Sequence, residues 1–160
     1  MSTTTTAYGS ITIVDITDIG EFSIYPMSNS PLSVVYDPNQ NVYTPDWSSN
    51  NLVLQPMIYY AGKKLDFTTT GLTVVWKRKD GNSAETDLKT GEVVNNNILT
   101  VSANNLGTSN AGMLTYICYV TYEDTETGQM VNITDRMTYT LIKAAENAKT
   151  CMISGPQVFI

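Results

Sequence analysis

The sequence predicts an all-β protein, built as an antiparallel sandwich or barrel. Short runs rich in Val, Ile, Thr and Tyr recur along the chain, and these residue types favour strands. Segments rich in Gly, Asn, Asp and Pro separate the runs and suit tight turns between antiparallel neighbours. Hydrophobic residues make up 42% of the 160 residues, which is enough for a core of ordinary size.

The strands are predicted one by one from these runs. In chain order they are SITIVDI (10–16), LSVVYD (32–37), LVLQPMIYY (52–60), LTVVWKRK (72–79), ILTVSA (98–103), MLTYICYVTYE (113–123) and MTYTLIK (137–143). Only AAENAKT (144–150) has a helical composition, and it is too short to be stable alone. Many short strands with regular turn signals are typical of a sandwich or barrel.

The composition divides the chain into three parts. Residues 1–49 are predicted to be a short β-rich segment for attachment or assembly, which ends at a polar run after Pro45. Residues 50–143 have the length and strand count of a sandwich that folds by itself. Residues 144–160 are predicted to be a C-terminal extension, which either pairs with a neighbouring subunit or begins a further domain.

Three residues in the second part resemble a known pattern. Trp76 lies in a predicted central strand, and Tyr116 precedes Cys118 by two positions in a later strand. This arrangement resembles the immunoglobulin-like β-sandwich, in which a Trp on strand C packs against strand F and the Tyr forms the tyrosine corner. The resemblance implies that all three residues belong to the structural core. Strand B carries no cysteine in this sequence, so the disulfide of that family is not expected.

Cys118 has three possible roles. Alternation with Tyr116 predicts a buried thiol that acts as a small hydrophobic group with a raised pKa. A disulfide with Cys151 would require the segment after the last strand to fold back. A catalytic thiol is disfavoured because the sequence contains no histidine to activate it.

The charge pattern limits the classes of partner. The net charge is −6, and the nine basic residues are scattered apart from KRK at 77–79, so nucleic acid is not an expected partner. No apolar run approaches 18 residues, and no membrane span is predicted. No nucleophile motif, phosphate loop or metal-binding spacing occurs, so neither enzymatic activity nor a cofactor is expected. The carboxylates in VDITDIGE (14–21) and YEDTETGQ (122–129) are predicted to be solvated.

A second resemblance concerns the N-terminal half. The stretch SITIVDITDIG and the segment LSVVYDPNQNVYTPDWSSNNLVLQPMIYY resemble the opening of structural proteins of tailed bacteriophages. In such proteins a β-rich attachment segment precedes one or more immunoglobulin-like domains. The resemblance implies a tail, collar or head-fibre protein that is assembled into the virion in the host cytoplasm. The implied partners are other virion proteins, further copies of this chain, and a host-surface glycan or receptor.

Assembly is predicted to use the N-terminal strands. Ile11, Ile13, Val34 and Tyr36 present apolar faces, and residues 10–49 contain too few strands to cover them. An alternative hypothesis is a cell-surface carbohydrate-binding or adhesin module that uses Trp47 and exposed tyrosines to stack on sugars. A small β-sandwich hydrolase is a third, less favoured hypothesis. Fold alone does not choose between these functions, because sandwiches host many of them.

Overall fold

A computed structural model describes residues 20–107 and 110–144 of the chain. Eleven strands lie within these residues. They are β1 (Phe22–Ser28), β2 (Ser33–Asp37), β3 (Val42–Thr44), β4 (Leu52–Tyr60), β5 (Lys63–Lys64), β6 (Leu72–Asp80), β7 (Glu85–Thr86), β8 (Glu92–Asn95), β9 (Ile98–Val101), β10 (Met113–Glu123) and β11 (Met130–Lys143). The all-β class that the sequence predicted is therefore confirmed.

The strands form two sheets that share one hydrophobic core. The first sheet has the order β1-β4-β9-β8, with the short β5 also paired to β4. The second sheet has the order β3-β2-β11-β10-β6-β7. Neighbouring strands are antiparallel, except that β2 runs parallel to β11.

The core is formed by alternate residues of the strands in both sheets. In β4, Leu52, Leu54, Pro56 and Ile58 are buried, whereas Val53, Gln55 and Met57 between them are exposed or half-buried. In β10, Tyr116 and Cys118 point the same way and are fully buried. This alternation follows from the two-residue period of a strand, which places successive side chains on opposite faces of a sheet.

The structure does not have the boundary at residue 49 that the sequence predicted. Strand β1 pairs with β4 along its whole length, and β2 pairs with β11. Ile24, Val34 and Trp47 are buried in the same core cluster as the residues of the later strands. Residues 22–49 are therefore part of one sandwich, because their core side chains are covered by the rest of the chain. The predicted strand at 10–16, most of the predicted helical segment and the C-terminal extension lie outside the described residues.

The described chain enters and leaves the sandwich at opposite ends. Phe22, at the start of β1, lies opposite Tyr60, whose ring is 5.0 Å from that of Tyr122. Strand β11 begins at this same end and runs the length of the sandwich, so that Lys143 pairs with Tyr36 at the other end. Such an arrangement suits a domain whose two ends are each joined to a different neighbour.

Candidate assembly interface

The outer face of the first sheet carries no acidic or basic side chain on its strands β1, β4, β8 and β9, although Lys64 of β5 and Glu21 before β1 lie at one end of it. Its residues are Ser23, Tyr25, Met27, Val53, Gln55, Met57, Tyr59, Val93, Asn95, Ile98 and Thr100. Tyr25, Met27 and Val93 are each more than half exposed, at 59%, 54% and 61%. Four strands that present large exposed side chains and no charge are unusual on a chain of net charge −6, and exposed apolar patches often mark contact sites.

A shallow cleft lies at one end of this face. Tyr25 and Tyr59 form its aromatic wall, with ring centroids 5.9 Å apart and an interplanar angle of 73°. Glu21, Ser23 and Gly62 complete a cavity of about 340 Å³. The two rings are nearly perpendicular, so they provide an angled apolar surface whose hydroxyls can also bind polar groups, and tyrosine is common at recognition surfaces.

The outer face of the second sheet is chemically different. Lys77 forms an ion pair with Asp87, and the Tyr119 hydroxyl donates a hydrogen bond to Glu85. Arg136 is exposed on β11 of the same sheet. Because charged groups there are hydrated and partly paired, this face is a poorer surface for dry packing than the outer face of the first sheet.

The predicted interface residues are not brought together on one surface. Val34 is buried in the core of its own chain, with 1% exposure. Tyr36 is half-buried against Tyr43, with ring centroids 4.7 Å apart, and its hydroxyl donates a hydrogen bond to Asn41. Ile11 and Ile13 lie outside the described residues. Val34 thus contributes to intramolecular packing, and it cannot be a contact residue in the folded chain.

Trp47 cannot serve as a sugar-stacking platform. Its side chain is 1% exposed and packs edge-on against Tyr139, at 5.1 Å between ring centroids. Its indole N–H donates to Ser30 Oγ at 3.1 Å, and its backbone N–H donates to Asn104 at 2.9 Å. The Trp47 side chain therefore closes one end of the core.

Trp76, Tyr116 and Cys118 lie together in the second sheet. Trp76 in β6 is the direct cross-strand neighbour of Cys118 in β10. All three side chains are buried, and the Trp76 indole N–H donates to the Asn97 carbonyl at 2.9 Å. The Tyr116 hydroxyl does not bond to a nearby backbone group, as the tyrosine corner requires. It donates instead to the Glu92 carboxylate, at 2.7 Å.

Glu92 is the centre of a buried polar network between the sheets. Its side chain is 0% exposed, and that of Arg78, with which it forms an ion pair, is 2% exposed. The carboxylate also accepts hydrogen bonds from Tyr116 and, at 2.8 Å, from Asn105. Arg78 forms a second ion pair with Asp80. Burial and the adjacent Glu92 charge raise the pKa of Tyr116, so its hydroxyl stays protonated and donates.

Sequence reasoning missed this network. Arg78 was counted in the basic run KRK (77–79), although its position two residues after Trp76 places it on the same inward face of β6. Nothing in the local sequence pairs it with Glu92, which lies 14 residues later on the other sheet. The network joins the two sheets, because its residues form ion pairs and hydrogen bonds with one another.

The Cys118 thiol is expected to be unreactive in the folded protein. Burial, together with the charge of Asp135, raises its pKa to about 12, so the thiolate is about a thousandfold scarcer than at the ordinary pKa of 9.0. In a Cys151→Ser variant, we expect a disulfide reagent at pH 8 to modify Cys118 at least about a hundredfold more slowly than in urea-unfolded protein. Equal rates in the two states would show that Cys118 is not enclosed by the core.

Asp124, in the hairpin after β10, has a structural role. Asp124 accepts hydrogen bonds from the Glu126 backbone N–H at 3.0 Å and from the Tyr60 hydroxyl at 3.3 Å. The hydrogen bond from the Glu126 backbone lowers the pKa of Asp124. Within residues 20–107 and 110–144, no three His, Cys, Asp or Glu side chains come close enough to hold a metal ion.

Comparisons with known proteins give little further information. No protein-family model matches the sequence, and no curated protein matches it significantly. One match among solved structures is the crystal structure of MtrC from Shewanella baltica OS185, with a TM-score of 0.34 and 12% identity. That match covers 74% of this chain but only 23% of the other, and a likeness of this degree supports no statement about function. In the described part of the chain, no helix has the length and apolar character to span a bilayer.

Proposed function

We propose that the sandwich is immunoglobulin-like. In that fold one sheet contains strands A, B, E and D and the other contains C, F and G. The order β1-β4-β9-β8 corresponds to A-B-E-D, and the order β11-β10-β6 corresponds to G-F-C. Trp76 then lies on strand C and Cys118 on strand F, as in that family. Under this assignment the domain begins with β1 at Phe22, which is earlier than the sequence predicted.

We further propose that the protein is a non-catalytic structural component of a bacteriophage particle, in the tail, the collar or a head fibre. The resemblance of the N-terminal half to tailed-bacteriophage proteins supports this function. The outer face of the first sheet, on which β1, β4, β8 and β9 present no charged side chain, is the structural observation that carries it, because the face is suited to packing against other subunits. The passage of the chain from one end of the sandwich to the other also suits an extended assembly.

The proposed partners are other virion proteins and further copies of this chain. Contacts between sheets or between strand edges would hold the subunits, and multivalent symmetry would strengthen contacts that are individually weak. Assembly would take place in the host cytoplasm. The proposal involves no cofactor and no nucleic acid.

A carbohydrate-binding or adhesin module is the second candidate function. The exposed Tyr25–Tyr59 pair, with Glu21 and Ser23 beside it, favours this candidate, because aromatic rings beside polar groups suit a sugar ring. A glycan or receptor could also bind this cleft on an assembled particle. Glycan-array binding that is abolished by Tyr25→Ala would favour a role in recognition, and glycan binding without any association with particles would favour an adhesin.

The structural role is tested by measuring the number of copies of the protein in purified particles. Quantitative mass spectrometry of density-purified virions should find the protein at a fixed number of copies, comparable to that of other tail or head proteins. Immunogold labelling should place it at one defined position. Absence from washed particles, or an amount that varies between preparations, would show that the protein is not a virion component.

A further inference from the structure

The four edges of the two sheets differ in how open they are to another strand. Strand β1 contains Pro26, which lacks an N–H group, β3 has three residues and is followed by Pro45, and β7 has two residues. These features hinder the addition of a further strand. Strand β8 (Glu92–Asn95) contains no Pro, Lys or Arg and, among the described residues, is paired on one side only.

The backbone of β8 is oriented to accept a partner. Asn96 and Asn97 both have positive φ, at 47° and 64°, and they form the two-residue turn to β9. The pair that closes such a turn, Asn95 and Ile98, is hydrogen-bonded. Hydrogen-bonded and non-hydrogen-bonded pairs alternate along antiparallel strands, so the N–H and C=O of Val94 point away from β9. The side chains of Val93 and Val94 are 61% and 39% exposed. An open edge with exposed valines is a typical site for pairing with another chain.

We propose that β8 is the acceptor edge for strand addition by residues 10–16 of a second copy of this chain. This inference rests on the proposed function as an assembling subunit and identifies the contact that it would use. Residues 10–16 read SITIVDI, and a strand of this sequence would have Ile11, Ile13 and Asp15 on one face and Ser10, Thr12, Val14 and Ile16 on the other. A strand added to β8 has one face beside Val94 and the other beside Val93, so a segment with apolar residues on both faces fits.

The reach of the chain requires that the added strand come from another copy. Gly20 lies beside Tyr60 and Ala61, at one end of β4. Val94 pairs with Leu99 of β9, which pairs in turn with Leu54 of β4, so Val94 is level with Leu54. Six residues of β4 separate these levels, about 20 Å along the strand, and a strand added outside β8 is four strand spacings, about 19 Å, across the sheet from β1. The four Cα steps from residue 16 to Gly20 span at most about 14 Å. The segment therefore cannot reach the β8 edge of its own chain and reaches that of a neighbour.

The proposal is tested by the self-association of the full chain in sedimentation velocity experiments from about 1 µM to about 1 mM. We expect the wild-type chain to associate, and we expect Val94→Lys and Ile13→Lys each to weaken association at least about tenfold, because each places a charge in the added strand contact. Val75→Lys is the matched control. It changes an equally exposed valine on the second sheet, at 43% exposure, and should associate like the wild type.

A charge swap makes the test specific to this pairing. Val94→Lys combined with Ile13→Glu should associate more strongly than Val94→Lys combined with Ile13→Lys, because the added strand and the β8 edge then carry opposite charges. Circular dichroism shows whether each variant is folded. A wild-type chain that stays monomeric throughout, or a folded Val94→Lys variant that associates normally, would overturn the proposal. If the protein is nevertheless present at a fixed copy number in particles, the structural role stands and only this contact is wrong.

Discussion

Deleting residues 1–49 is expected to leave the remaining chain unfolded. The deletion removes β1, β2 and β3 and takes three buried side chains, Ile24, Val34 and Trp47, out of the core. Loss of a buried Trp alone typically costs about 3–5 kcal/mol, and a domain of this size is stable by only about 5–15 kcal/mol. Circular dichroism and the dispersion of amide resonances would measure the outcome.

A chain that starts at Gly20 is the matched control for this deletion. It keeps every described strand and should retain a cooperative unfolding transition. The division predicted from the sequence gives the opposite expectation, because it treats residues 50–143 as a sandwich that folds alone. A fragment starting at Asn50 that is folded and monomeric would support that division and contradict the single sandwich described above.

Replacing Glu92 by Leu is expected to destabilise the protein by about 3–5 kcal/mol, because the buried Arg78 guanidinium then loses a principal counter-charge. The change also removes the hydrogen-bond acceptor of Tyr116 and of Asn105. The free energy of unfolding in urea, measured by the fluorescence of the buried tryptophans, gives the effect directly.

Two further variants show whether burial of the charge is the cause. Combining Glu92→Leu with Arg78→Met should recover much of the lost stability, since neither buried charge then remains. Lys77→Met breaks the exposed pair with Asp87 and should cost less than about 1 kcal/mol. Similar losses for Glu92→Leu and Lys77→Met would contradict the assignment of the network to the core.

The strands that the sequence predicted share a composition rich in β-branched and aromatic residues. Strands β4 and β10 have the predicted bounds, because each is a long run dominated by apolar, β-branched and aromatic residues. Strand β1 (FSIYPMS) was missed because Pro26 lies in its middle, and a proline is tolerated there because β1 is an edge. The first half of β11 was missed because it contains Asn132, Asp135 and Arg136.

The contacts between distant segments could not be predicted in the same way. The parallel pairing of β2 with β11 joins residues more than 100 positions apart, and no local pattern specifies which edge a short strand joins. The apolar face of β2 was therefore interpreted as a surface for other subunits, although β11 and the first sheet cover it. The ion pair of Arg78 with Glu92 was missed for the same reason. In contrast, the burial of Trp76 and Cys118 follows from alternation within single strands.

Hydrogen exchange of the full chain measures most directly whether residues 22–44 belong to the same sandwich as the later strands. The Thr140 N–H donates to the Leu32 carbonyl at 2.8 Å and the Ala144 N–H to the Tyr36 carbonyl at 2.9 Å, so β2 and the end of β11 should exchange together. We predict that amides of β1 and β2 that are paired in a sheet are protected to a degree similar to those of β10. Rapid exchange throughout residues 22–44, with slow exchange in residues 50–143, would contradict the account and restore a separate N-terminal segment.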